Sequence, residues 1–326
     1  MLFRNTKYKI LNTKDKVKIV FFGTPEFSAT ILEALIANNY APVLVVTAGD
    51  KPVGRNKTIT PPPVKALALK RQIKVLQPQD LESIESDLKA LNPDLIVVAA
   101  YGPPFLSEKI LAMPRHGCLN IHPSLLPKYR GASPIPGAIL GGEGLTGVTI
   151  IKMTDKIDQG DIIVQEKLVI ESQDTTLSLT EKLAKIAAKL LVKTISSWVK
   201  EEIVPRPQGS SPTAYCPQLK KQDGRINWQN SSEYIEKQIR AYYPWPGTFT
   251  LFKGQILKII KGYATEKEET KSDPGFVFLT KDEKKLAVQT KRGALVVEIL
   301  QLEGGKPLSA EDFLRGHREI IGEILQ

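Results

Sequence analysis

The stretch Val17-Lys-Ile-Val-Phe-Phe-Gly23-Thr-Pro-Glu-Phe-Ser-Ala-Thr-Ile-Leu-Glu-Ala-Leu-Ile-Ala37-Asn-Asn-Tyr-Ala-Pro-Val43-Leu-Val-Val-Thr47 decides the fold class. Val17–Phe22 is a short apolar run bounded by Gly-Thr-Pro, which reads as a buried strand. Pro25 and Glu26 are N-terminal signals for a helix over Glu26–Asn38, and Val43–Thr47 is a second strand. A strand, helix, strand opening implies an open, mostly parallel α/β sheet of the Rossmann-like kind. The pattern continues with a helix over Val64–Gln72, a strand over Ile73–Leu76, an amphipathic helix over Asp80–Leu91 and a strand over Leu95–Ala99. Beyond these lie a strand at Cys118–Ile121, a helix over Ser133–Leu140, strands over Val148–Met153 and Ile162–Val169, and a long helix over Leu177–Lys200. Ile203–Pro217, rich in Pro, Gly and Ser, reads as a linker. After it come short strands at Arg225–Trp228, Thr248–Leu251, Ile256–Ile260, Phe276–Leu279, Lys285–Thr290 and Gly293–Leu300, with one helix over Ser231–Ala241. That spacing predicts a small OB-like β-barrel. Two domains are expected, residues 1–204 and 205–326.

Chemistry concentrates between Gly117 and Asp161. Asn120 and His122 alternate across Ile121, so a strand points both to one face. A carboxamide can donate to a developing oxyanion, and an imidazole can move a proton near neutral pH. Asp158 lies after the next strand, in the turn-like Asp-Gln-Gly-Asp, where it could fold back onto the imidazole. A histidine before a proline is equally what a satisfied strand end looks like, so the residues alone leave both readings open.

Two other stretches imitate nucleotide sites. Gly49 and Gly54 have phosphate-loop spacing, but Arg55-Asn56 stands in place of Lys-Ser/Thr and no helix opens directly after the strand. Gly142-Glu-Gly144-Leu-Thr-Gly147 matches the dinucleotide fingerprint in letters, yet it follows a helix and opens a strand, the reverse of what that site needs. It reads as a turn. The long Ala48–Lys65 loop, with Lys51, Arg55, Lys57 and Lys65, has a length that is usually functional inside a compact domain.

The 326 residues carry 45 basic and 35 acidic side chains, a net charge of +10. The excess divides as 26 against 20 in residues 1–205 and 19 against 15 in 206–326, so it is spread over the chain. Such a balance favours a polyanionic partner. Cys118 and Cys216 lack metal or disulfide spacing. No targeting or membrane segment is read, Met1–Asp15 reads as a loose polar arm, and a cytoplasmic protein is expected.

Asn120-Ile-His122, then Ser124-Leu-Leu-Pro127, then Asp158 in Asp-x-Gly-Asp resemble the formyltransferases that use 10-formyltetrahydrofolate. The resemblance implies that Asn120, His122 and Asp158 are the catalytic trio and that Ser124, Leu125, Leu126 and Pro127 lie against the folate. Val20-Phe-Phe-Gly-Thr-Pro-Glu-Phe resembles the family's first strand and turn. The basic loop around Gly54-Arg55 looks like the insertion that enters a tRNA acceptor arm in one branch of the family. Ile239-Arg-Ala-Tyr-Tyr-Pro-Trp-Pro-Gly247 and Gly304–Leu314 resemble that branch's tRNA-contacting barrel. The resemblance therefore implies initiator methionyl-tRNA as the acceptor, Lys51, Arg55 and Lys57 as tRNA contacts, a monomer, and no metal. Pro103-Pro104, Pro136 and Ala48-Gly49 depart from the usual pattern around the folate pocket and loop hinge. His122-Pro-Ser-Leu-Leu-Pro-Lys-Tyr also resembles glycinamide-ribonucleotide formyltransferases, which keeps a small amine acceptor as the alternative.

Overall fold

A computed structural model describes residues 17–54, 57–213, 215–268, 270–282 and 284–326. The arm expected over Met1–Asp15, and Arg55, lie outside the described residues.

In chain order the first part comprises β1 (Ile19–Gly23), α1 (Glu26–Ala37), β2 (Leu44–Val46), β3 (Lys51–Val53), β4 (Thr58–Thr60), α2 (Pro63–Lys70), β5 (Val75–Leu76), α3 (Glu85–Leu91), β6 (Leu95–Ala99) and α4 (Glu108–Leu111). It continues with β7 (Cys118–His122), α5 (Pro134–Leu140), β8 (Leu145–Lys152), β9 (Ile162–Val169) and α6 (Thr176–Val199). The main sheet has the order β5-β2-β1-β6-β7-β8-β9. Its strands from β5 through β7 pair in parallel. β1, β2 and β6 are buried along their whole length, as strands covered on both faces must be. The helix α1 starts at Glu26 as its Pro-Glu signal implies.

The second part holds α7 (Ser232–Tyr242) and the strands β10 (Thr248–Phe252), β11 (Gln255–Thr265), β12 (Val277–Leu279), β13 (Leu286–Gln289), β14 (Ala294–Leu302) and β15 (Leu308–Ser309), followed by α8 (Ala310–Gly316). The strands form an antiparallel sheet of order β10-β11-β14-β13-β12, with β15 on β14. This is the OB-like architecture. β11 bulges at Lys261 and Gly262, where a Cβ on Gly262 would sit 2.6 Å from the Val296 carbonyl. Bulges of this kind bend and twist a strand.

The described residues divide into two compact units: those within 17–121, 150–156 and 188–205 in one, and those within 122–149, 157–187 and 206–326 in the other. The first has a core of Val20, Phe22, Leu44, Val46, Ile96 and Val98 with Leu88 and Ile110 from the helices. The second is built on Trp228, Ile235, Ile239, Leu257, Val288, Leu295 and Phe313.

Several local expectations are corrected. Arg225–Trp228 is not a strand: a 3₁₀ turn at Lys221–Gly224 leads into one bridge, Arg225 to Phe249, and Trp228 instead donates its indole N–H to Thr250 Oγ1 at 3.1 Å. The helix expected over Asp80–Leu91 is interrupted. Asp80 takes the Ser83 N–H and hydroxyl, leaving a 3₁₀ turn at Glu82–Ile84 before α3. The basic loop contains a hairpin, with Lys51, Pro52 and Val53 opposite Thr60, Ile59 and Thr58. Its base is pinned by Lys65, whose ammonium lies 2.8 Å from Asp50 and 2.7 Å from Gln77. That ammonium, with Gln77, holds the Asp50 carboxyl below its usual range. The short α4 and α8 add to the expected helices, and Ser309 caps α8 through the Asp312 N–H. Gly142–Gly144 is a turn, and Gly147 is there for packing, since a Cβ would meet the Glu166 carbonyl at 2.1 Å.

Candidate active site

β7 carries Asn120 and His122 two residues apart, on one face by strand alternation. His122 is almost wholly buried. Its Nε2 lies 2.9 Å from the Tyr129 backbone carbonyl. A carbonyl only accepts, so Nε2 must carry a proton. In the neutral ring this leaves Nδ1 as the nitrogen that can take one. Nδ1 faces Asp158 Oδ2 at 3.5 Å. The expectation that Asp158 folds back onto the imidazole thus has a geometry.

Asp158 occupies a left-handed turn, with φ +52°. Its carboxylate accepts the Gly131 N–H at 2.9 Å. Gly131 itself stands at φ +111°, and a Cβ there would lie 2.4 Å from the Cys216 carbonyl. Only glycine fits so close an approach.

The Ser124–Pro127 segment is held from inside. Ser124 is fully buried, and its hydroxyl donates to the Lys128 carbonyl at 2.7 Å. The Leu126 N–H donates to Thr149 Oγ1 at 3.1 Å, and Leu126 is buried. Thr149 in turn donates to the Ser124 carbonyl at 2.6 Å. Leu125 and Pro127 are the half-buried members.

Tyr129, at φ +58°, turns the chain so that its carbonyl meets the imidazole. Its hydroxyl donates to Glu143 at 2.9 Å, and Lys128 binds the same carboxylate at 2.9 Å. Burial, then Glu143, push the phenol pKa up. The Lys128 ammonium holds Glu143 below its usual range. Glu143 is the acidic residue of the false dinucleotide fingerprint; its work is to brace Tyr129.

The segment read as a linker supplies contacts that no sequence signal marked. Gln208 donates to the Asp158 and Gly160 carbonyls at 2.9 and 2.7 Å, and Thr213 Oγ1 accepts the Tyr129 N–H at 2.8 Å. Lys51 and Lys57 are exposed at the β3–β4 hairpin, which leaves the carboxyl end of β2. Among the described residues, no group of three or more His, Cys, Asp or Glu side chains is placed to hold a metal. Nor is any helix among them long and apolar enough to cross a membrane.

A formyl transferase family model matches residues 17–195, and the family's C-terminal domain model matches 218–318. The methionyl-tRNA formyltransferase of Caldicellulosiruptor saccharolyticus is 42% identical over 94% of this chain and 99% of its own length. The enzyme of that name from Halalkalibacterium halodurans is 43% identical over 92% and 95%. Among solved structures, an N-formyltransferase from Helicobacter canadensis, in complex with folinic acid and dTDP-3-aminofucose, superposes with a TM-score of 0.63 at 20% identity over 86% of this chain and 98% of that one. HypX from Aquifex aeolicus bound to tetrahydrofolic acid gives 0.60 at 16% identity, over 92% of this chain and 47% of that one. These structural likenesses speak to the fold.

Proposed function

The chain belongs to the formyl transferase family, and from that premise we propose that it transfers the formyl group of 10-formyltetrahydrofolate to the α-amine of initiator methionyl-tRNA. The observation that carries the acceptor is the match to methionyl-tRNA formyltransferases along nearly their whole length, including the region after residue 205. The likeness to the N-formyltransferase in complex with dTDP-3-aminofucose, by contrast, is one of fold.

The attacking amine adds to the formyl carbon, and negative charge builds on its oxygen; the tetrahedral adduct then collapses with cleavage of the bond from that carbon to N10, so that tetrahydrofolate leaves with N10 carrying the proton given up by the amine. Asn120 donates its side-chain N–H to that oxygen. Removing one such donor costs about 10²–10³ in rate. His122 exchanges the proton at Nδ1, because Nε2 is committed to the Tyr129 carbonyl. Asp158, 3.5 Å from Nδ1, stabilises the imidazolium and assists proton transfer from the amine. Leu125 and Pro127 line the folate side, while Ser124 and Leu126 keep that segment in shape. Lys51, Arg55 and Lys57 contact the acceptor stem.

The same reading takes residues 1–204 as the catalytic domain and 205–326 as the tRNA-binding domain of a cytoplasmic monomer. The two family models, which fall on either side of that boundary, support it. Incubation with 10-formyltetrahydrofolate and either methionyl-tRNA or glycinamide ribonucleotide tests the acceptor. Formylmethionyl-tRNA is the expected product; formylation of the ribonucleotide alone would overturn the proposal.

A further inference from the structure

We propose that Gln208 is a positioning residue for formyl transfer, one that fixes Asp158 against His122; this rests on the reading of those two residues as catalytic. The described residues 206–213 and 215–216 belong to a strap fastened at both ends. Arg206 exchanges backbone bonds with Ile162 at 2.8 and 2.9 Å. At the other end the Cys216 N–H donates to the Arg130 carbonyl and the Ala132 N–H to the Cys216 carbonyl, each at 2.8 Å. Ser211 donates its hydroxyl to the Pro127 carbonyl at 2.7 Å between them.

Gln208 sits inside this frame with its amide fully used. Nε2 donates to the carbonyls of Asp158 and Gly160, at 2.9 and 2.7 Å. Oε1 accepts from Arg130 Nη2 and Nε, at 2.8 and 3.3 Å. One side chain thus ties the 158–160 turn to Arg130. The same two segments meet at the carboxylate, where the Gly131 N–H holds Asp158 Oδ2. Asp158 is in the left-handed region, which aspartate adopts more readily than most residues with a Cβ but which is still uncommon, so the turn needs a constraint that selects it. Two carbonyls turned onto one amide are such a constraint. A glutamate of the same shape would keep the Arg130 contact and set oxygens against both carbonyls.

The test uses the full chain as wild type, Gln208→Glu, Gln208→Leu and Asp158→Asn, with kinetics for both substrates and binding of tetrahydrofolate. In Gln208→Glu, kcat should fall about 10–100-fold, as misplacement of a catalytic group by about an ångström does, with KM values and tetrahydrofolate affinity within about threefold of wild type. Its pH–kcat profile should move toward that of Asp158→Asn, and the double variant should be little slower than Asp158→Asn alone. Gln208→Leu carries the same comparison if the glutamate variant does not fold. A wild-type kcat and profile in the Gln208 variants, beside an impaired Asp158→Asn, would overturn the inference and leave the site standing. So would a parallel loss of kcat, folate affinity and melting temperature with an unmoved profile, which marks plain structural damage. Wild-type turnover in Asp158→Asn would remove the catalytic reading and this inference together.

Discussion

The Tyr129 carbonyl can only accept, and that settles which nitrogen of His122 is available for chemistry. Nε2 is held 2.9 Å from it, and Nδ1 looks toward Asp158. Asn120, two places back on the same strand, is suited to the oxyanion and not to the proton. The two residues should therefore fail differently. Asn120→Ala is expected to lower kcat about 10²–10³-fold with its pH profile unshifted, as loss of one oxyanion donor does. His122→Ala should lower kcat about 10²–10⁴-fold and remove the limb of the profile that depends on imidazole. Steady-state rates from pH 5.5 to 9, with thermal melts as folding controls, separate the two. Normal turnover in either variant would sink its assigned role.

Among the elements, the start of α6 and the β3–β4 hairpin make separate predictions. Burial alone would raise the Asp174 carboxyl, but Lys182 at 2.7 Å, the Ser178 hydroxyl and the Glu171 N–H hold it below its usual range. Its backbone carbonyl also accepts from Arg240 of α7 at 3.1 Å. A folded-state pKa below the unfolded value of about 3.9 adds stability that is complete above that value and is lost as pH falls through the folded pKa. Asp174→Asn should thus destabilise by about 1.5–3 kcal/mol at pH 7, the range for hydrogen bonds to charged groups. Urea titrations should show that gap closing as pH drops below the ordinary carboxylate range; a gap that persists in acid would assign it to packing. β4 is exposed along its length, and the base of the hairpin is fixed by Asp50 and Lys65. For Arg55→Ala, kcat/KM for methionyl-tRNA should fall about tenfold or more, from the loss of a charge-assisted contact of about 1.5–3 kcal/mol. Tetrahydrofolate affinity should hold. Unchanged formylation would make the hairpin an inert surface feature.

On the scale of the molecule, the charge of +10 is spread along the chain, so a polyanion should be sensed through many weak contacts. Rising salt should depress kcat/KM for methionyl-tRNA steeply on a log–log plot and barely alter tetrahydrofolate binding, and Arg55→Ala should flatten that slope by about one phosphate contact. Equal salt responses of the two substrates would refute a distributed electrostatic footprint. Whole-chain topology is also where sequence and structure part company. Apolar runs such as Ile19–Phe22 and Leu95–Ala99, the Pro25-Glu26 helix start and the alternation at Asn120 and His122 are local signals, because strand burial, helix starts and side-chain alternation depend on near neighbours. They determined the α/β class and the candidate catalytic strand, as the spacing of short strands after residue 217 determined the OB-like second part. The His122–Asp158 distance, the lysine brace on Glu143 and the amide of Gln208 link residues 36, 15 and 50 positions apart. Pro, Gly and Ser around Gln208 carry the same local signature in a slack linker as in a fastened strap. Only the partners' positions in space distinguish them, since a hydrogen bond is made by distance and direction, and tertiary packing alone sets both.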